Sequence, residues 1–246
     1  MVEPGSFVLL SVAVFFGAFV SGFSGFAFSA VAGAILLHMF QPLEAVPLMM
    51  ACSVGVQLAN LWALRRSIQW KASLILIFGG LLGVPMALWL LHNTDARTFQ
   101  QLFGLTVAIY SGYMLFKPSL GCLQKMSQSR TALIGFGGGL IGGLTAMPGA
   151  LPTIWCDMHG LPKNQQRGLV QPFIAAMQIF ALAMMVVRHD LSSKILFELG
   201  LSTPALVAGS AIGIFAFRNV NEATFRRVIL SILFLSGALL VVRFQF

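Results

Sequence analysis

Small polar residues set inside long apolar stretches are where this chain has the means for chemistry. Ser21-Gly22-Phe23-Ser24-Gly25 sits midway along Phe7 to Phe40, and Thr145-Ala146-Met147-Pro148-Gly149 sits midway along Ala132 to Gly160. Ser21, Ser24 and Thr145 supply hydroxyl donors, while Gly22, Gly25, Gly143 and Gly149 let a ligand approach the backbone closely. A helix that stops and restarts at each place would aim free N–H groups and the positive end of a dipole at one depth, from half-helices starting near Ser24-Gly25 and Pro148-Gly149. That arrangement holds an anion without a cationic side chain. A kink that merely packs helices is the alternative.

Other polar residues fall at helical spacing. Ser53, Gln57 and Asn60 share one face, and so do Gln171 and Gln178, with Gln178 near the repeat partner of Gln57. Amides in such positions either join helices or line a path. Asp157 reads as the one acid well inside an apolar-flanked element. It is either interfacial, beside His159 and Gly160, or a proton-coupling group; His38 holds a similar place in the first half. Arg167 heads a later run, as a topology signal or as an attractor of anions in a vestibule. Gly135, Gly137, Gly138, Gly139, Gly142 and Gly143 lack the preceding strand and the Lys-Ser/Thr of a nucleotide loop, and read as close helix contacts. Cys52, Cys122 and Cys156 fit neither a disulfide framework nor a zinc site and read as packing residues. His92 and Cys122 have no partners at useful spacing, so no enzyme constellation, cofactor or metal is expected.

The elements that must position these groups are membrane helices. The chain of 246 residues is 58% hydrophobic and 9% charged, with a mean hydropathy of +0.89, where soluble domains carry about 25% charge. The net charge of +8 sits between apolar runs, where topology signals belong, and does not indicate nucleic acid. Met1 to Ser6 holds Glu3 and no Lys or Arg, so the first apolar stretch is expected to be retained. As one helix, residues 7–40 would reach about 50 Å against a hydrocarbon core of about 30 Å, yet they are too short for two spans. Runs follow at Ala45–Leu64, Leu74–Leu91 and Phe99–Phe116; a polar stretch, Ser119 to Arg130, resembles a linker.

The pattern then restarts with the second broken stretch and runs at Val170–Val187, Ile195–Phe217 and Phe225–Val242. Gly160-Leu161-Pro162 echoes Gln41-Pro42, and Thr224 to Val228 echoes Thr98 to Leu102. If both broken elements return to their own side, Arg65, Arg66, Lys71, Lys117, Lys125, Arg130, Lys163, Arg167, Arg218, Arg226 and Arg227 gather on one side. Only Arg97, Arg188, Lys194 and Arg243 then oppose them. If the broken elements cross, the split is nine against six. The first arrangement fits the positive-inside rule better and leaves three full spans per half, so the halves are inverted.

Gly22-Phe-Ser-Gly-Phe-Ala-Phe28, the Pro turn, Leu64-Arg-Arg-Ser-Ile-Gln-Trp70 and Gly79-Gly80-Leu-Leu-Gly83 resemble the sulfite exporter TauE/SafE family. The second half agrees through Gly142-Gly143-Leu144, a Pro-Gly pair, Gly160-Leu-Pro-Lys-Asn-Gln-Gln-Arg167 and Phe225-Arg-Arg-Val-Ile-Leu230. The likeness spans Gly17 to Phe244. It implies membrane transport of small sulfur oxyanions and organosulfonates, such as sulfite, thiosulfate or sulfoacetate. One departure is that Pro148-Gly149-Ala150-Leu151-Pro152 stands where the family usually reads Gly-Gly-Pro-Pro.

The expected protein is an all-α polytopic membrane protein of two repeats of about 120 residues (residues 1–118 and 131–246, joined by 119–130), each a broken helix or re-entrant hairpin plus three transmembrane helices. It is expected to be a multi-pass inner-membrane transporter working by alternating access, whose partners are the lipid bilayer and a small anion held between the breaks, with proton coupling possible. Ser21, Gly22, Ser24, Gly25, Gln57, Gly143, Thr145, Pro148, Gly149 and Gln178 are the expected substrate residues. A passive anion channel, a transporter of a non-sulfur organic anion and a membrane enzyme or scaffold are the rivals.

Overall fold

A computed structural model describes residues 4–24, 27–116, 127–188, 190–219, 227, 230, 231, 233–238 and 241. Among them every regular element is a helix: α1 Pro4–Ser24, α2 Phe28–Leu36, α3 Pro42–Leu64, α4 Trp70–Asn93, α5 Ala96–Phe116, α6 Gln128–Thr145, α7 Ala150–Met158, α8 Lys163–Val187 and α9 Ser193–Asn219. Helices are the outcome expected where no water can meet backbone polar groups. Among the described residues four segments are long and apolar enough to cross a membrane: Pro42–Trp62, Trp70–Asn93, Asn164–Val187 and Ser193–Ala216. Trp62, Leu82, Phe116 and Val187 are each more than two-thirds exposed. Such an apolar outer surface belongs against lipid, and the protein is a multi-pass membrane protein. α5 has the length of a span but is diluted by Gln100, Gln101, Tyr110 and Tyr113. The expected run at 225–242 is described in part, at 227, 230, 231, 233–238 and 241, where it is helical. The 119–130 stretch is described only from Ser127, and Gln128 to Arg130 already belong to α6.

Both long apolar stretches are interrupted. The first ends its leading helix at Ser24, and α2 begins at Phe28, later than the expected restart near Ser24-Gly25; Ala27 before it has φ 81°. The second ends at Thr145, where Ala146 has φ 57° and its N–H donates to the Gly142 carbonyl at 2.8 Å. An L-residue held in this left-handed region costs about 1–2 kcal/mol. At the second break Pro148 then prevents the helix from resuming. After nine residues each half-helix turns again, the second at Gly160 with φ 64°. There Leu161 N–H reaches back to the Cys156 carbonyl at 3.2 Å, which closes the helix end.

The half-helices lie back against their leading helices. A Cβ added at Gly17 would stand 3.0 Å from Ala32 Cβ and 3.1 Å from the Phe28 ring, and Gly142 faces Pro148. Two longer pairs run parallel in backbone contact. Gly79 and Gly83 on α4 face the carbonyls of Ala132 and Phe136 on α6, and Gly135 and Gly139 return the contact to Leu76 and Gly80. Gly209 and Gly213 on α9 face the carbonyls of Phe15 and Phe19 on α1. Lipid supplies no hydrophobic drive between helices, so small residues that permit this approach hold them together. The glycine run of α6 has the packing role read for it.

α3 and α8 run antiparallel through the middle and have the largest buried share of the four spans. At one end the Arg65–Lys71 loop docks on the start of α8, with Gln69 N–H on the Gly168 carbonyl at 3.1 Å and Ser73 Oγ on the Leu169 carbonyl at 2.9 Å. At the other end Lys194 pairs with Glu44 at 2.9 Å, His92 Nε2 meets Asp190 at 3.1 Å, and Gln100 donates to the Leu37 carbonyl at 2.8 Å. Asp95 caps α5 at that end by accepting from Thr98 N–H and Oγ1, which holds its carboxyl below the usual range. Cys52 and Cys156 are buried free thiols, as packing residues would be; Cys122 lies outside the described residues.

Candidate functional site: a polar pocket between the two helix breaks

The two breaks open into one small pocket. Ala27 and Ser29, at the start of α2, form one wall. Ala146, Met147, Pro148, Gly149 and Ala150, leading into α7, form another. The first N–H groups of a helix have no acceptor within it, so the start of α2 brings donors and the positive end of a dipole to this space. At α7 the dipole has the same sense, but Ala150 N–H donates to the Met147 carbonyl at 3.2 Å and Pro152 has no N–H, which leaves Leu151 as the donor of the first turn. α3 contributes Ser53 and Gln57, α8 contributes Ile174 and Gln178, and Tyr110 enters from α5. Ser53 and Gln57 on α3, and Ile174 and Gln178 on α8, are each four residues apart, about one helical turn, so each helix presents one face to the pocket.

Gln178 holds the pocket's shape. Its Nε2 donates to Ser53 Oγ at 2.9 Å and to the Ala146 carbonyl at 3.2 Å, tying α8 to α3 and to the second break. Because that carbonyl only accepts, the amide nitrogen must face it, and the oxygen is turned away. Gln178 Oε1 and Ser29 Oγ are buried with no hydrogen-bond partner among the described residues. A buried polar atom left unmatched costs about 1–3 kcal/mol, so two of them in one pocket are ready for a guest.

Of the expected substrate residues, Gln57, Pro148, Gly149 and Gln178 line the pocket. Gly22 is not among the lining: it packs on α9, where an added Cβ would meet the Ser210 carbonyl at 2.7 Å. Gly143 likewise packs on Ala87 and Val84. Ser21 is fully buried within α1. Thr145 spends its hydroxyl on the Ile141 carbonyl at 2.7 Å. Ser24 ends α1 with its side chain outside the description, and Gly25 lies outside the described residues. Arg167 does not stand open in a vestibule: its Nη2 donates to the Phe23 carbonyl at 2.9 Å, at the negative end of α1.

Asp157 sits half-buried near the end of α7, close to Tyr113 and Cys156 and apart from the pocket lining. It is not the one acid within an apolar element. Glu198, one turn into α9, is 2% exposed and keeps a carboxylate oxygen without a hydrogen-bond partner among the described residues. Ser29 and Tyr110 are the polar pocket residues that spacing did not select, whereas Ser53 lies on the face that its spacing with Gln57 marked. Ser29 becomes visible once the break is placed at Ala27, and Tyr110 is one of only two tyrosines in the chain. Among the described residues no group of His, Cys, Asp or Glu has the makings of a metal site.

The model of the family described as Sulfite exporter TauE/SafE matches residues 9–240. No curated protein and no solved structure matches the chain.

Proposed function

Because the chain belongs to the sulfite exporter TauE/SafE family, a family of membrane transporters of sulfur anions, we propose that it is a secondary transporter that holds a small sulfur-containing anion between its two helix breaks. Sulfite, thiosulfate and organosulfonates form the substrate class, alternating access is the mode, and the inner membrane is the location. The observation that carries this reading is that the starts of α2 and α7 face one polar pocket. Discontinuous helices near the midplane serve transporters in this way because backbone N–H groups bind negative charge without trapping it. Counterflow tests it. Proteoliposomes preloaded with unlabelled sulfite should take up labelled sulfite faster than empty ones; flux without counterflow would leave a channel.

The two halves are inverted repeats in this proposal, with each broken element a re-entrant hairpin. Supporting this, α1 pairs in parallel with α9 just as α6 pairs with α4, and α3 crosses α8 antiparallel. The basic residues support it too: Arg65, Arg66 and Lys71 share an end with Arg167, while Lys194 and Arg188 share the other with Asp190 and Glu44. Single cysteines placed at Ser127 and Asn164 should react with an impermeant maleimide from the same side, and one at Asn93 from the opposite side. Ser127 and Asn164 reacting from opposite sides would reject the hairpins.

In this proposal Asp157, set between the end of α7 and α5, is the proton-coupling residue. Asp157→Asn should flatten the pH dependence of transport while uptake at its optimum survives. A pH profile identical to that of the unmodified protein would remove Asp157 from this role.

A further inference from the structure

The pocket also has a charge balance. Each of the two half-helix starts carries the equivalent of about half a positive charge, so together they offer about one. The leading helices end nearby with the opposite sign. At α1 this is offset by Arg167, whose guanidinium rests on the Phe23 carbonyl. At α6 the Gly142 carbonyl accepts from Ala146 N–H and the Ala146 carbonyl from Gln178 Nε2. No Lys or Arg is among the lining residues; the polar ones are hydroxyls and amides, which orient dipoles but add no net charge.

A second, independent observation concerns the unmatched atoms. Ser29 Oγ and Gln178 Oε1 are each 2% exposed by residue, line the pocket and lack a partner among the described residues. Ser29 offers a donor to an oxyanion. Gln178 Oε1 can only accept, so it repels a fully deprotonated oxygen and favours a ligand that brings an O–H. The apolar remainder, Met147, Ile174 and Ala150, leaves a second negative charge without an answer in a poor dielectric.

Resting on the proposal that this pocket is the transport site, we infer that it selects by charge state within the proposed class: it takes singly charged sulfur oxyanions, hydrogensulfite and simple sulfonates, and rejects dianions, thiosulfate and sulfate among them. Hydrogensulfite meets both demands, with one charge for the helix starts and one O–H for Gln178. A small sulfonate meets the first and lays its carbon against the apolar wall. Sulfite loses its remaining proton near neutrality, so the fraction of usable substrate falls as pH rises.

Equilibrium binding to the purified full-length protein tests this with methanesulfonate, sulfite and sulfate, each at pH 6 and pH 8. Methanesulfonate, a monoanion throughout, should bind equally at both values and so control for titration of the protein. Sulfite should weaken about tenfold toward pH 8, and sulfate should bind at least about tenfold more weakly than methanesulfonate at both, one decade being about 1.4 kcal/mol. Sulfate binding as tightly as methanesulfonate, or sulfite tightening as pH rises, overturns the charge selection alone. Binding of none of the three overturns the transport-site reading and the inference with it.

Discussion

Gln178→Leu should lower the apparent affinity for the transported anion at least about tenfold, or about 1.4 kcal/mol, in a protein that still folds. The side chain's Nε2 joins Ser53 Oγ at 2.9 Å and the Ala146 carbonyl at 3.2 Å. Leucine has similar bulk but releases both, so the Ala146 carbonyl turns into the pocket unclaimed and meets an incoming anion with its negative end. The fold should survive because hydrogen bonds between membrane helices are worth only about 0.6 kcal/mol on average. Thr145→Val is the companion measurement. Its hydroxyl serves the Ile141 carbonyl in its own helix, so its affinity should stay within about twofold, less than 0.5 kcal/mol. Saturation kinetics on both variants decides the matter: Gln178→Leu at full affinity would take this amide out of the site.

The larger effect on folding should come from Gly83→Val. A Cβ at this position would run into the Phe136 carbonyl and stand 2.7 Å from Leu140 N, both backbone atoms that no rotamer change can move aside. Overpacking a well-filled core costs about 1–3 kcal/mol and occasionally more. Here the clash separates two helices that gain nothing else by touching, since lipid is as apolar as they are. Loss of a monodisperse peak, or a fall of some 10 °C in the midpoint of thermal aggregation, is expected. Gly200→Val is the control, because an added Cβ there meets nothing within 4 Å. Equal stability of the two variants would show that the α4–α6 contact does not hold the protein together.

Much of this was legible in the residue order. The length mismatch of the two broken stretches, the glycine spacing and the offset between Gln57 and Gln178 all report directly on backbone geometry, and each led to the element that contains it. The first break was placed too early because Ser24-Gly25 has the composition of an interruption, while the left-handed residue is Ala27, an alanine that nothing local marks. Ser29 was lost with it. Tyr110 was hidden because a span is recognised by average hydropathy, which does not say which face a tyrosine takes. Glu198 was missed for the same reason, one acid being diluted within Ile195–Phe217. Thr145 shows the converse: a hydroxyl at the right depth still has its own helix to serve.

The parallel pairs also say what can move. α1 belongs to the opening part of the chain and α9 to its close, yet Gly209 and Gly213 seat directly on the α1 backbone; α4 and α6 are clamped the same way across the midpoint. Sliding one half of the chain past the other would tear both clamps at once. In the proposed alternating-access cycle the stiff bodies are therefore the two parallel pairs, each assembled from both halves of the chain, and the hinges fall at the short connections that bind α2 and α7 to them.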